Sequence, residues 1–255
     1  MKRTILTGIL ALAAGLSGLW AQPAAPAQPQ PKPKSAAEGK AVNAIISAAN
    51  DPDATIKAAE DLLTKYADTD FKEYALTMEA RAYQQKRDEV NAQIFAERVL
   101  QINPKSYTME VLLAEVIIPS IKEHDLDRKE KLTKCTTLLS DSIENVKVAA
   151  KPNAQVSDAD WAGAQKFAIG EAHNGLGMLA LIDKKWDDAI KEFQLALEND
   201  PEQDAYATRL ASAELSAGKY PDCIAICDKL LAKPTLNPQI KNVVTNIRNT
   251  AASRK

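Results

Sequence analysis

The sequence predicts an all-α protein built from antiparallel helix pairs stacked in series, closed by one capping helix. Three observations lead there. First, aromatic residues make up 5% of the chain, charged residues 26%, and only 9 of 255 residues are glycine. That mixture suits helices packed through small side chains, and β-branched alternation is nearly absent. Second, apolar residues recur at three- and four-residue spacing, as in Leu176, Leu179 and Ala180 and then Ala189, Ile190, Phe193, Ala196 and Leu197. Third, that pattern returns along the chain with a period of about 34 residues.

Met1–Ala21 comes first. Lys2 and Arg3 precede an apolar run from Ile5 to Leu19, with small residues near Ala21. This reads as a secretory signal peptide cleaved after Ala21, so the mature protein is expected to be exported, to a periplasm or beyond the cell. No cysteine follows the run to take a lipid, and the alternative is a retained membrane anchor. Residues 22–38 open with a proline-rich stretch lacking large apolar side chains, expected to be an extended, flexible linker.

From about Gly39 the helix pairs begin. Gly39–Lys72 carries Ile45, Ile46, Ala58 and Leu62, with Asp70 where later pairs end in proline. Glu73–Ser106 carries Ala80, Tyr83, Ala92, Val99 and Pro104, with a turn at Lys86–Asp88. Residues 107–150 form an atypical pair. Leu112, Leu113, Val116 and Ile117 give one apolar face, and Pro119 kinks or ends that helix. A longer helix follows through Leu132, Cys135, Leu138, Leu139, Ile143 and Val146.

Ser157 and Asp160 resemble a capping pair that opens the next helix. Its stripe of Trp161, Ala164, Ala168 and Leu176 carries it to about Leu181, within a pair spanning 158–203. Gly177 marks a close helix approach, Asp187 and Asp188 favour the next helix start, and Pro201 stops that helix. Asp204–Asn237 repeats the pattern with Leu210, Ala211, Gly218, Cys223, Cys227 and Leu230. Residues 238–253, with Ile240, Val243, Val244 and Ile247, cap the stack.

Leu176-Gly177, Trp186, Ala189, Phe193, Ala196 and Pro201 stand at the spacings of a tetratricopeptide repeat (TPR), which the chain resembles over Gly39–Asn237. The resemblance implies a right-handed superhelical α-solenoid that binds other proteins. It also implies that the first helices of successive pairs line a concave face. Carried over by position, that face contains Tyr74, Thr77, Met78, Arg81 and Gln84, then Asn174, Met178 and Leu181, then Thr208, Arg209 and Ser212. Val111 and Glu115 join if the atypical pair stays in register. The mixed surface suits a peptide or helix of a partner protein. The basic–amide pattern by which some family members clamp a chaperone's C-terminal carboxylate is not reproduced.

Nothing in the sequence assembles a catalytic or cofactor site. The 2 histidines, His124 and His173, stand apart without HExxH or CxxC spacing, which argues against a metal centre. The 3 cysteines, Cys135, Cys223 and Cys227, read as buried free thiols, because Cys223 and Cys227 lie one turn apart on one helix face. Gly175-Leu176-Gly177 lies inside a helix and follows no strand, so it is no nucleotide loop. A net charge of −2 gives no electrostatic footprint for nucleic acid or anionic lipid. The expected function is a non-catalytic interaction scaffold of the cell envelope, without cofactor. The alternative is an assembly subunit that self-associates or docks through its helix ends.

Overall fold

The computed structural model describes residues 31–254; the expected signal peptide and most of the proline-rich stretch lie outside them. Eleven α-helices and one short 3₁₀ turn make up the described residues, with no strand among them. They run α1 Ala36–Ser47, α2 Pro52–Lys65, α3 Lys72–Gln85, α4 Glu89–Ile102, α5 Tyr107–Ile117, α6 Arg128–Val148, α7 Asp158–Ile182, α8 Trp186–Asn199, α9 Asp204–Ser216, α10 Tyr220–Leu231 and α11 Pro238–Arg254. Each helix packs on the next, and α3 on α5, α5 on α7 and α9 on α11 join the first helices of neighbouring pairs. The fold is an α-solenoid of five hairpins with α11 as its cap.

Local chemistry sets the helix boundaries. Ser35, Asp51, Asp88 and Ser157 each accept a hydrogen bond from the backbone N–H three residues on, satisfying an amide the helix leaves open. Ser157 also donates to Asp160 at 2.7 Å, so the expected capping pair is present. Three hairpin turns share one geometry. Arg87, Lys184 and Gly218 have φ of 58°, 60° and 75°, and the following amide donates back to the carbonyl of Tyr83, Ala180 or Glu214. A single left-handed residue therefore reverses the chain in each turn.

Small residues let the helices approach closely. Ala75, Ala80, Ala92, Ala96, Ala172, Ala189, Ala196 and Ala211 are fully buried. Phe193 of α8 is fully buried, and its ring lies where a Cβ on Gly177 of α7 would come within 2.6 Å of it. Burying such a ring stabilises by about 1.5–3 kcal/mol, available only because α7 presents a glycine there. The core is a chain of clusters rather than one mass. Cys135, Cys223 and Cys227 are free, fully buried thiols within it.

Several expectations need correction. α1 begins at Ala36, inside the segment read as linker to residue 38. Ala164 is exposed and Trp161 only half-buried, so the stripe of α7 reaches the core later than expected. The reason is length: α6 and α7 have 21 and 25 residues against 14 for α8. At 1.5 Å per residue their joined ends overhang the stack. There Val148 and Phe167 are 77% and 46% exposed, and Gln165 Nε2 ties the overhang together by donating to the Val146 carbonyl at 2.8 Å. Val243, assigned to the buried stripe of the cap, is 50% exposed, and Val244 fills the core instead.

Acidic side chains are buried on several first helices. Glu38 accepts from Thr69 at 2.6 Å, and Glu110 accepts from Asn145 at 2.9 and 3.1 Å. Glu79 is 1% exposed with one oxygen unpartnered. Burial pushes its carboxyl up to about 7, with Arg98 opposing and Glu60 reinforcing.

Two predictions come from this packing. Gly177→Ala should cost about 1–3 kcal/mol in chemical denaturation, because Phe193 cannot retreat. At Gly163 a Cβ meets nothing within 4 Å, so Gly163→Ala should stabilise by up to about 1 kcal/mol through helix propensity. The second concerns pH. Between the ordinary carboxyl value of 4.5 and about 7, the folded chain holds a proton on Glu79 that the unfolded chain releases. That contribution is fully present below 4.5 and is lost as pH rises through 7. Thermal melts should therefore show higher stability at mildly acidic than at alkaline pH. Glu79→Gln should flatten the difference by on the order of 1–3 kcal/mol.

Candidate partner-binding face

The first helices place their polar side chains on one shared surface. Gln84 of α3 donates to Glu115 of α5 at 3.1 Å, and Arg209 of α9 donates to Asn174 Oδ1 of α7 at 2.8 Å. Both bonds cross from one hairpin to the next, so these side chains meet on the inner layer. Asn174 is only 7% exposed and holds the guanidinium of Arg209, itself half-buried, in place.

The remaining expected residues fall around them. Tyr74 and Thr77 are half-buried, and Met78 packs against the N-terminal core cluster. Arg81 is exposed. Met178 bridges the central cluster and the one around Phe193, where Leu181 also packs. Thr208 and Arg209 wall a shallow open pocket of about 230 Å³, completed by Ala205, Gln239, Ile240 and Val243. Ser212 is half-buried, and its carbonyl accepts from the Ser216 hydroxyl at 2.9 Å. Val111 is the correction: it is 5% exposed inside the central core, because the short α5 is enclosed nearly all round. Glu115, from the same helix, does reach the face.

Sequence reasoning missed four participants: Tyr107, Glu171, Asp200 and Tyr206. Glu171 stands three and seven residues before Asn174 and Met178, one helix face by spacing alone, and Tyr206 stands three before Arg209. That spacing is a usable signal, but the repeat pattern names other positions and so draws attention away from it.

Electrostatics bind these residues into one group. The carboxyl of Glu171 is pushed up to about 7, chiefly by burial, with Glu115 and Asp200 adding to the rise and Arg81 opposing it. Burial also raises Glu115, against its bond from Gln84 and the charge of Arg209. Tyr206 is 4% exposed, and its phenol is raised by burial and by Glu171, Asp200 and Glu115. Burial lowers Arg209. Among the described residues no ion pair within 4 Å joins Arg81, Glu115, Glu171 and Arg209, although Arg81 lies in electrostatic reach of Glu171 and Arg209 of Glu115. Such a surface offers donors, acceptors and both signs of charge without neutralising them internally.

Other candidate chemistry resolves into local structure. His173 Nδ1 lies 2.7 Å from Glu192 Oε2, tying α7 to α8. Burial raises the thiols of Cys135 and Cys227, to about 11 and about 12. Among the described residues no group of three His, Cys, Asp or Glu is placed to hold a metal. No helix among them is long and apolar enough to cross a membrane.

The fold has clear counterparts among solved structures. A thermophilic TPR protein of Thermus thermophilus superposes with a TM-score of 0.57 at 16% identity, over 82% of this chain and 98% of that one. A double mutant of MamA RS-1 does so with a TM-score of 0.50 at 13% identity, over 86% and 98%. By sequence the chain is 38% identical over 58 residues to Hsp70-Hsp90 organizing protein 2 of Arabidopsis thaliana. That segment is 23% of this chain and spans about a tenth of that relative, 10% of its length. No protein-family model matches the chain.

The two inter-hairpin bonds give a test of the face. Arg209→Ala strands the buried carbonyl of Asn174 and should lower stability by about 1–2 kcal/mol in thermal melts. Arg81→Ala removes an exposed, unpaired side chain and should stay within about 0.5 kcal/mol of the parent.

Proposed function

We propose that this chain, which has the TPR fold, is an exported, non-catalytic scaffold of the cell envelope. Its inner face holds a peptide or an extended segment of a partner protein. The observation that carries this reading is the group of charges on α3, α5, α7 and α9, exposed Arg81 with half-buried Glu115, Glu171 and Arg209, which lie in electrostatic reach of one another without closing ion pairs. A merely structural surface would gain by pairing or solvating them. The amino-terminal basic–apolar pattern supports export, and the likeness to TPR structures supports a scaffold. An assembly role is the second reading, favoured by Val148 and Phe167 exposed at the overhanging ends of α6 and α7.

Crosslinked capture from the envelope fraction separates the readings. Arg81→Glu and Arg209→Glu, once shown to be folded by thermal melts, should change the captured partners. Phe167→Glu should leave them unchanged. Capture indifferent to both charge reversals, with loss of a self-associated species by light scattering in Phe167→Glu, would reject the inner face and favour assembly.

A further inference from the structure

A cavity, a positioned charge and an exposed apolar side chain coincide in the pocket between α9 and α11, at the carboxy-terminal end of the inner face. Its volume of about 230 Å³ is below the roughly 300–1,000 Å³ of small-molecule sites, so it fits side chains of a segment rather than a free ligand. Ala205 of α9 and Ile240 and Val243 of α11 supply an apolar wall. Ala205 and Ile240 are half-buried, and Val243 is 50% exposed. Arg209 belongs to the same wall, and its guanidinium is fixed in place. Its Nη1 donates to Oδ1 of buried Asn174 on α7 at 2.8 Å. That bond engages one arm of the guanidinium fork and is made to a neutral amide. No carboxylate lies within 4 Å of Arg209 among the described residues.

The surroundings decide the sign of the occupant. The acids nearest to the pocket in sequence, Glu202 and Asp204, are engaged by Lys233 at 3.5 and 2.8 Å. α11 carries Lys241, Arg248 and Arg254 with no aspartate or glutamate, and Arg248 is tied to Asp228 of α10. Lys241 follows Ile240 on the cap and is exposed. Glu115 reaches Arg209 from α5, toward the other end of the stack, where Gln84 already donates to it. This end of the face is therefore cationic, in a chain whose net charge is −2. Thr208 adds no donor, because its hydroxyl already donates to the Asp204 carbonyl at 2.7 Å.

We propose that the groove between α9 and α11 seats an internal acidic–aliphatic step of the partner segment. An aliphatic side chain lies against Ala205, Ile240 and Val243, and the side-chain carboxylate of an adjacent Asp or Glu pairs with the guanidinium of Arg209. This deepens the proposed function and rests on its reading of the inner face. The carboxylate meets a donor that Asn174 already aims, so little side-chain freedom is lost when the charge-assisted pair forms. The aliphatic side chain takes Val243 out of water and excludes water from beside the pair, which strengthens it. The pocket is shallow and open, so the segment runs on past it, and one guanidinium provides for one carboxylate. The cap helix is thereby half of the site as well as the cover of the last core cluster, to which Val244 and Ala251 belong.

A phage-displayed library of random peptides, selected on the full chain, tests this directly. The expected result is enrichment of Asp or Glu beside Leu, Ile, Val or Met. Val243→Glu should weaken the strongest peptide about tenfold, by losing the apolar contact and repelling the carboxylate. Replacing the peptide's acid by its amide should weaken binding to the parent about tenfold and have little further effect on Arg209→Gln, the signature of a coupled pair. Amidating the peptide's C terminus should leave affinity unchanged. Circular dichroism melts check both variants, and Val243 is exposed, so Val243→Glu carries the test should Arg209→Gln not fold. Selected peptides that lack an acid, or are indifferent to Val243→Glu, while still weakened by Arg81→Glu, overturn this inference and leave the inner face standing. Affinity lost on amidation overturns it in favour of a terminal carboxylate. Peptides indifferent to all three substitutions, or a selection that yields no binder, overturn the inner face itself.

Discussion

A helical hairpin of this chain cannot bury its own apolar stripe; it needs the next hairpin. The closest expression of that constraint is Phe193 seated against Gly177, where any side chain larger than hydrogen would collide with the ring. The same dependence explains the series of core clusters and the fully buried alanines along it. Stability in such a stack is approximately a sum of hairpin and interface contributions, so a defect at one interface weakens its neighbours first.

The face follows from the packing. Small residues draw the first helices together, and their remaining polar positions meet across each interface, as Gln84 meets Glu115 and Asn174 meets Arg209. Close approach also removes water from these groups. That is why Glu115 and Glu171 are raised and Arg209 lowered, while surface acids such as Asp68 and Asp228, paired with Lys34 and Arg248, are lowered. One geometric cause produces both the fold and the unusual electrostatics of its inner side.

Much of this was legible in the sequence. The period located the hairpins, the turn at Lys86–Asp88 fell where a left-handed residue stands, and Pro119 ended α5 as expected. Apart from Val111 and Asn174, which are buried, the expected inner-face residues are half-buried or exposed, and Asn174 meets Arg209 across the face. What escaped was set by tertiary context. Val111 and Glu115 lie one turn apart on α5, yet one is in the core and the other on the face, because a short helix enclosed by neighbours has little free surface. Helix length beyond the repeat was partly foreseen for α7, but the exposure of Ala164 and Phe167 required knowing where the neighbouring helices stop.

The buried acids sharpen the distinction between structure and function. Glu79 and Glu214 each leave an oxygen unpartnered, so an unsatisfied carboxylate alone does not mark a binding site. Their charged neighbours lie on second helices and turns: Glu60 and Arg98 for the first, Lys219, Asp222 and Asp187 for the second. Both glutamates are nearly fully buried, away from solvent. Glu171 differs because Arg81 of α3, Glu115 of α5 and Tyr206 of α9, all on first helices, lie in its electrostatic reach, with Asp200 at the end of α8 beside them. Local rules broken inside a seam cost stability and yield nothing. The same break repeated around one open surface costs as much, and is offset only when something with complementary charge fills it.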